Sequence, residues 1–221
     1  MTRVIAHRGA SRAWPDNTLA AFAAARALRA DGVELDVRAT ADGCLAVVHD
    51  ACLADGVAVA ATRAADLPDQ VPLLGPALVA CGGLLVNVEI KNDPAEPGFS
   101  LDLADAVVAE VEARDGPVLI SSFHLATLDR VRARNERLRT GWLVVVPPEG
   151  WAATLVERGH HALHPHQRAV TPELVDTARA AAIELNAWTL DDPRRMLELA
   201  ALGVDGIVTN VPDVACRVLR P

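Results

Sequence analysis

The chain has 221 residues with 21 basic and 29 acidic side chains, a formal net charge of −8, a pI near 5.3, and 51% hydrophobic against 23% charged residues. That balance excludes wholesale disorder, and its acidic sign argues against sequence-independent nucleic-acid binding, which needs clustered basic residues on a phosphate backbone. No apolar run approaches the ~18 residues that span a bilayer, the opening Met1-Thr2-Arg3-Val4-Ile5-Ala6-His7 does not read as a signal peptide, and Cys44, Cys52, Cys81 and Cys216 lack metal-site or disulfide spacing, so a reduced, cytoplasmic protein is expected.

In chain order, short apolar runs alternate with stretches of helical period. A strand is predicted over Val4–His7, a helix over Asn17–Ala30 and a strand over Gly32–Val37. Leu45–His49 follows through Asp42-Gly43, a hairpin signal, and is read as an antiparallel flap on the second strand. Residues 51–71 lack periodicity and read as a short lid or insertion. A helix over Pro72–Ala80, weakened by Gly75 and Pro76, leads to a strand over Leu84–Ile90 and a helix over Leu101–Arg114. The later units pair a strand over Val118–Ser121 with a helix over Leu125–Arg134, Thr140–Val145 with Trp151–Arg158, and Ala162–His164 with Pro172–Ala182. Glu184–Trp188 then pairs with Pro193–Ala201, and Gly206–Val208 with Val211–Leu219. This alternation, with no repeat and no dividing linker, predicts an α/β fold: a TIM (β/α)8 barrel with a β-hairpin flap after strand 2, one domain over residues 1–221. A doubly wound open sheet is the alternative, but no Gly-rich dinucleotide turn is present.

A barrel places chemistry at the C-terminal ends of its strands. Val33-Glu34-Leu35-Asp36-Val37 alternates strictly, so Glu34 and Asp36 share one face, about 7 Å apart along the strand, while the apolar residues pack under helices. Asn87-Val88-Glu89-Ile90-Lys91 repeats the pattern and brings a third carboxylate, Glu89. Buried carboxylates need a cation or a basic partner, and a three-carboxylate set suits a hard divalent metal, Mg2+ or Ca2+. Lys91 is the only lysine among 21 basic residues, and its compact ammonium suits a phosphate oxygen, although a Glu89–Lys91 ion pair along the strand is an equal reading. His7-Arg8-Gly9 follows the first strand and His49-Asp50 ends the flap. Two imidazoles beside a metal and a phosphate-gripping arginine form an acid/base pair for phosphodiester cleavage. Trp188 is expected to wall the pocket or to sit in the core. His164 is expected at the mouth, His160, His161 and His166 on loop surface, and His124 at a helix cap. Pro15-Asp16-Asn17-Thr18 reads as a helix N-terminus with capping side chains.

The ordered set of His7-Arg8-Gly9, Pro15-Asp16-Asn17-Thr18, Glu34-x-Asp36, Asp42-Gly43, His49-Asp50, Glu89-Ile90-Lys91, Ser121-Ser122-Phe123, Trp188-Thr189 and Gly203-Val204-Asp205-Gly206-Ile207 resembles the glycerophosphodiester phosphodiesterases over nearly the whole chain. The resemblance implies a metal-dependent phosphodiesterase that hydrolyses glycerophosphodiesters to an alcohol and sn-glycerol 3-phosphate. It implies His7 and His49 as the acid/base pair, Glu34, Asp36 and Glu89 as metal ligands, Arg8 and Lys91 on the phosphate, and Trp188 near the substrate. Asp16 stands where the family usually has glutamate, a shorter carboxylate expected to hold Arg8. The Thr-rich run after His-Asp is replaced by Ala51-Cys52-Leu53-Ala54-Asp55-Gly56, and Pro72-Leu73-Leu74 replaces Pro-Thr-Leu, departures that bear on substrate contacts and the lid. Two other functions fit the same residues: a phospholipase D-like hydrolase of lysophospholipids or sphingolipids, and a non-catalytic binder of a phosphorylated ligand. The lack of an amphipathic membrane-binding stretch favours a soluble, small-molecule substrate.

Overall fold

The computed structural model describes residues 1–114 and 116–220. Strand β1 (Arg3–His7) is followed by helix α1 (Leu19–Ala27), then β2 (Gly32–Ala39) and the short β3 (Leu45–Val47). Helix α2 (Leu74–Cys81), β4 (Leu85–Ile90), α3 (Asp102–Glu112), β5 (Val118–Ser122), α4 (Leu125–Arg134), β6 (Arg139–Val144) and α5 (Trp151–Arg158) come next. The chain closes with β7 (Ala162–Pro165), α6 (Pro172–Ala180), β8 (Glu184–Ala187), α7 (Pro193–Leu202), β9 (Gly206–Thr209) and α8 (Pro212–Leu219).

The sheet runs β1-β9-β8-β7-β6-β5-β4-β2, and a β1–β2 pairing closes it into an eight-stranded parallel TIM barrel. Strand β3 lies outside that circle, antiparallel to the upper half of β2 with Val37 opposite Val47 and Ala39 opposite Leu45. The lower half of β2 pairs with β1, ending at His7 opposite Glu34. The same edge of β2 is thus taken by β1 below and by the flap above, so β1 ends where the flap begins. On the other edge, Glu34 lies opposite Asn87 and Asp36 opposite Glu89. This register sets two carboxylates side by side on neighbouring strands.

Alternation along β2 and β4 sends Val33, Leu35, Val37, Val86, Val88 and Ile90 outward, where they pack with Phe22 of α1, Leu74 of α2 and Val107 of α3. A second cluster, including Leu163, Leu185, Met196, Leu199 and Ile207, fills the other half of the ring. Fully burying each Leu, Ile or Phe contributes roughly 1.5–3 kcal/mol. The inward faces of β2 and β4 are therefore free to carry polar groups.

Three boundaries differ from the sequence expectation for physical reasons. Helix α1 begins at Leu19 because Thr18 caps it, its side chain accepting from the Ala21 N–H at 3.2 Å, while Asn17 takes a left-handed φ of 57°. Pro76 falls in the first turn of α2, where its missing N–H costs nothing, so the helix survives both Gly75 and Pro76. The flap strand stops at Val47, which leaves His49 in the loop beyond it. In the segment after the flap, two short 3-10 turns, Val59–Ala61 and Ala64–Asp66, fold back on the hairpin, where Asp42 accepts from the Ala64 N–H at 3.0 Å.

Candidate active site

Glu34, Asp36 and Glu89 meet at the mouth, each presenting a carboxylate oxygen within 4.8 Å of the others. All three are buried, at 3%, 1% and 8% exposure. Asp36 is held from two sides: Asn17 Nδ2 donates to Oδ2 at 2.8 Å, and Arg8 Nε stands 3.1 Å from the same oxygen. Glu34 Oε2 accepts from the Arg8 backbone N–H at 3.0 Å, whereas its buried Oε1 has no hydrogen-bond partner among the described residues. Lys91 Nζ donates to Glu89 Oε1 at 2.7 Å and lies 3.6 Å from Asp36 Oδ1. The ion pair along β4 is therefore real, and it leaves the ammonium lining the same cavity.

The electrostatics follow from crowding three acids in a dry place. Burial, then the charges of Asp36 and Glu89, push Glu34 well above the ordinary carboxylate range. Burial and Asp36 raise Glu89 to about 7, against the opposing pull of Lys91. Burial resists the charge on Arg8 and Lys91, but the surrounding carboxylates outweigh it and raise both. A buried oxygen without a donor, beside two carboxylates that resist ionising together, is an arrangement that a cation would satisfy. The donor set fits a hard divalent ion, because it offers only oxygens.

The imidazoles of His7 and His49 both line the cavity at the trio. His7 Nε2 is 3.9 Å from Glu34 Oε2, and its Nδ1 contacts Asn210 Oδ1 at 2.7 Å. Burial lowers the His7 pKa below 6.5, the Asn210 contact opposing in part. His49 Nδ1 is 2.7 Å from Asp50 Oδ1, and the His49 carbonyl accepts from Arg38 Nε at 2.8 Å. Arg38 is itself pinned by Glu96, 2.8 Å away, from the loop after β4. His7, Arg8, Glu34, His49, Glu89, Lys91 and Trp188 all line one cavity of about 240 Å3. Trp188 donates from Nε1 to the His164 carbonyl at 2.7 Å and stands edge-on to Phe123 at 5.5 Å. The indole thus walls the mouth just past the end of β8.

The loop carrying His7 and Arg8 is tightly built. Arg8 adopts a left-handed φ of 53°, a sparsely populated region for a side chain of its size. Gly9, at φ 83°, lies against α1 so closely that a Cβ would stand 2.6 Å from the Ala21 carbonyl carbon. Arg8 Nη1 reaches Asp16 Oδ2 at 3.0 Å, so the shorter carboxylate does hold the arginine.

The structure brings together every candidate site residue read from the sequence. Other expectations need correction. His160 is buried rather than on loop surface, because Asp129 of α4 and Thr140 of β6 supply partners at 3.2 and 3.0 Å. His161 is half-buried, contacting the Thr140 N–H at 3.2 Å, and His166 packs against the edge of Trp188 at 5.2 Å. His124 occupies the cap position of α4 without capping it, its ring bonding Thr127 Oγ1 instead. Asn17 and Asn210 went unread as site residues: Asn17 looked like a helix cap yet orients Asp36. Asn210 follows the last strand directly, and the strand-end rule could have found it.

Fold and site together define a TIM-barrel hydrolase of phosphate esters. The sequence pattern of the glycerophosphoryl diester phosphodiesterase family matches residues 7–214. A glycerophosphodiester phosphodiesterase of Caldanaerobacter subterraneus is 33% identical across 99% of this chain and 98% of its own length, and one of Bacillus altitudinis is 30% identical across 99% and 98%. Among solved structures, an Oleispira antarctica phosphodiesterase in complex with its product sn-glycerol-3-phosphate superposes with a TM-score of 0.93 at 27% identity, covering 100% of this chain and 98% of its own. The chain belongs to the glycerophosphoryl diester phosphodiesterase family and is accordingly a phosphoric diester hydrolase.

Proposed function

We propose that the chain hydrolyses glycerophosphodiesters to an alcohol and sn-glycerol 3-phosphate, with Glu34, Asp36 and Glu89 holding Mg2+ or Ca2+ and with His7 and His49 moving the protons. The observation that carries this reading is the buried carboxylate trio, its unpartnered Glu34 oxygen and the two imidazoles that share its cavity. A bound divalent ion supplies Lewis-acid neutralisation of charge on the phosphate oxygens.

The chain's own groups do the rest. Arg8 and Lys91 present fixed positive charge to the phosphate. His7, kept neutral near pH 7 by burial, takes a proton from the attacking oxygen. That oxygen is either that of a water or that of the substrate's own glycerol hydroxyl, whose cyclic phosphate product a water then opens to sn-glycerol 3-phosphate. As the new P–O bond forms, the bond to the alcohol breaks, and His49 returns a proton to the leaving oxygen. Each transfer contributes about 10²–10⁴-fold. Trp188 and Phe123 form the apolar wall of the cavity. On the same reading, residues 1–221 act as one domain with 51–71 as a lid, and the free state of Cys44, Cys52, Cys81 and Cys216 supports a cytoplasmic location.

The test is release of sn-glycerol 3-phosphate from glycerophosphocholine and other head groups, after chelation and after return of Mg2+ or Ca2+. Turnover that needs the ion supports the proposal, and undiminished turnover under a strong chelator counts against the metal. A phospholipase D-like reading has one observation in its favour. Trp14, Phe123, Val145 and Val146 are exposed in loops after β1, β5 and β6, an apolar rim suited to acyl chains. A preference for long-chain lysolipids over water-soluble diesters in the same panel would select it.

A further inference from the structure

We propose that Asp191 is a positioning residue which, acting through Asn210, locks His7 in the tautomer that carries its hydrogen on Nδ1 and leaves Nε2 as the nitrogen facing substrate. The proposal rests on the reading that His7 moves a proton.

Asp191 lies in the loop between β8 and α7, and its carboxylate collects donors from the end of β9. Oδ1 accepts from the Asn210 backbone N–H and from Thr209 Oγ1, both at 2.9 Å, and Oδ2 accepts from Asn210 Nδ2 at 2.8 Å. The Thr209 oxygen in turn accepts from the Val211 N–H at 3.1 Å, so its hydroxyl hydrogen is free to point at Asp191.

A carboxylate only accepts hydrogen bonds, so the NH2 end of the Asn210 amide must be the end that faces Asp191. Turning the amide over would set oxygen against oxygen. With its nitrogen committed, Asn210 can show His7 only its carbonyl oxygen, which lies 2.7 Å from His7 Nδ1. Ser11 Oγ reaches the same oxygen at 3.0 Å, as a second donor. An amide oxygen cannot donate, so Nδ1 must carry the hydrogen. A neutral imidazole has one N–H, and the lone pair therefore sits on Nε2, which looks toward Glu34 and the cavity. Asp191 touches neither the cavity nor the carboxylate trio. Its link to the reacting groups runs through Asn210, whose amide it orients. Without Asp191, Asn210 is free to turn its NH2 group to His7, which would move the hydrogen to Nε2 and remove the acceptor from the site.

The test is Asp191→Asn, with Asp191→Glu as the conservative partner, read by steady-state kinetics and by nitrogen NMR of ring-labelled histidine. In the wild type the neutral His7 ring is expected to show the Nδ1–H signature. In Asp191→Asn a mixture of tautomers is expected, with kcat lower by about 10–100-fold and with KM and the metal-induced thermal shift unchanged. Asp191→Glu is expected to restore the Nδ1–H signature and part of kcat. Wild-type kcat in Asp191→Asn, or lowered kcat with an unchanged tautomer, would overturn the proposal, the latter reducing Asp191 to a loop staple. His7→Ala run alongside separates the two readings. Full activity there removes His7 from proton transfer, while the tautomer measurement still reports on Asp191 by itself.

Discussion

Replacing Glu89 by glutamine removes one charge from the carboxylate trio while keeping the side chain's shape, and the consequences run in opposite directions with and without metal. Carboxylate oxygens within 4.8 Å of one another, as in this cluster, repel by at least about 3 kcal/mol at an effective dielectric near 20. Burial first, and repulsion by Asp36 second, raise Glu89 from 4.5 to about 7, and a rise of that size corresponds to about 3 kcal/mol. A carboxylate raised on folding binds its proton more tightly in the folded state. The stability it contributes is present below pH 4.5 and lost as pH rises through 7. Metal-free Glu89→Gln should therefore match the wild type in acid and exceed it by about 2–3 kcal/mol at high pH, or roughly 5–10 °C in Tm. With metal the gap closes at about a hundred times Kd and reverses at about a thousand times, where the wild type gains about 4.1 kcal/mol. A ligand at a hundred times its Kd stabilises the wild type by about 2.7 kcal/mol, and the variant, short of one ligand oxygen, should gain far less. Thermal unfolding with EDTA and with Mg2+ or Ca2+, across that pH range, reads both effects. A metal-free variant less stable than the wild type at high pH, or one with the full metal response, would refute the reasoning.

Three further outcomes follow from the same geometry. His7→Ala and His49→Ala should each lower kcat by about 10²–10⁴-fold while keeping the metal-induced thermal shift, and loss of that shift would mean the imidazoles hold metal rather than protons. His164 is buried and held to about 4, so the unfolded chain takes up its proton first as pH falls. The stability it contributes is full above 6.5 and lost between 6.5 and 4, about 3 kcal/mol in all, and urea unfolding of His164→Gln should show a shallower acid slope, an unchanged slope contradicting this. Gly9→Ala places a Cβ 2.6 Å from the α1 backbone at a φ of 83°, and should cost at least ~2 kcal/mol with loss of activity, checked by denaturation and assay.

Much of this site could be read from the sequence because its carboxylates lie on strands. Period-two alternation announces that Glu34 and Asp36 share a face, and that Glu89 and Lys91 share another, before any coordinate is known. The register that sets Asp36 opposite Glu89 supplies the rest. What escaped depends on contacts between distant parts of the chain. Asn210 meets His7 across 203 positions, and Arg38 is pinned by Glu96 from a loop of no regular period. Asn17 was hidden differently: beside Thr18 it has the chemistry of a helix cap, and only its left-handed φ turns the amide toward Asp36. His160 shows the same limit, since a loop histidine becomes a core residue once Asp129 and Thr140 come within reach.

The central claim, that one divalent ion is held between β2 and β4, is most directly tested by diffraction from crystals soaked in Mn2+ and measured at its absorption edge. The account predicts a single strong anomalous peak bonded to carboxylate oxygens of Glu34, Asp36 and Glu89 and lost in Glu89→Gln. No peak there, or a peak bound instead by His7 and His49, would contradict it.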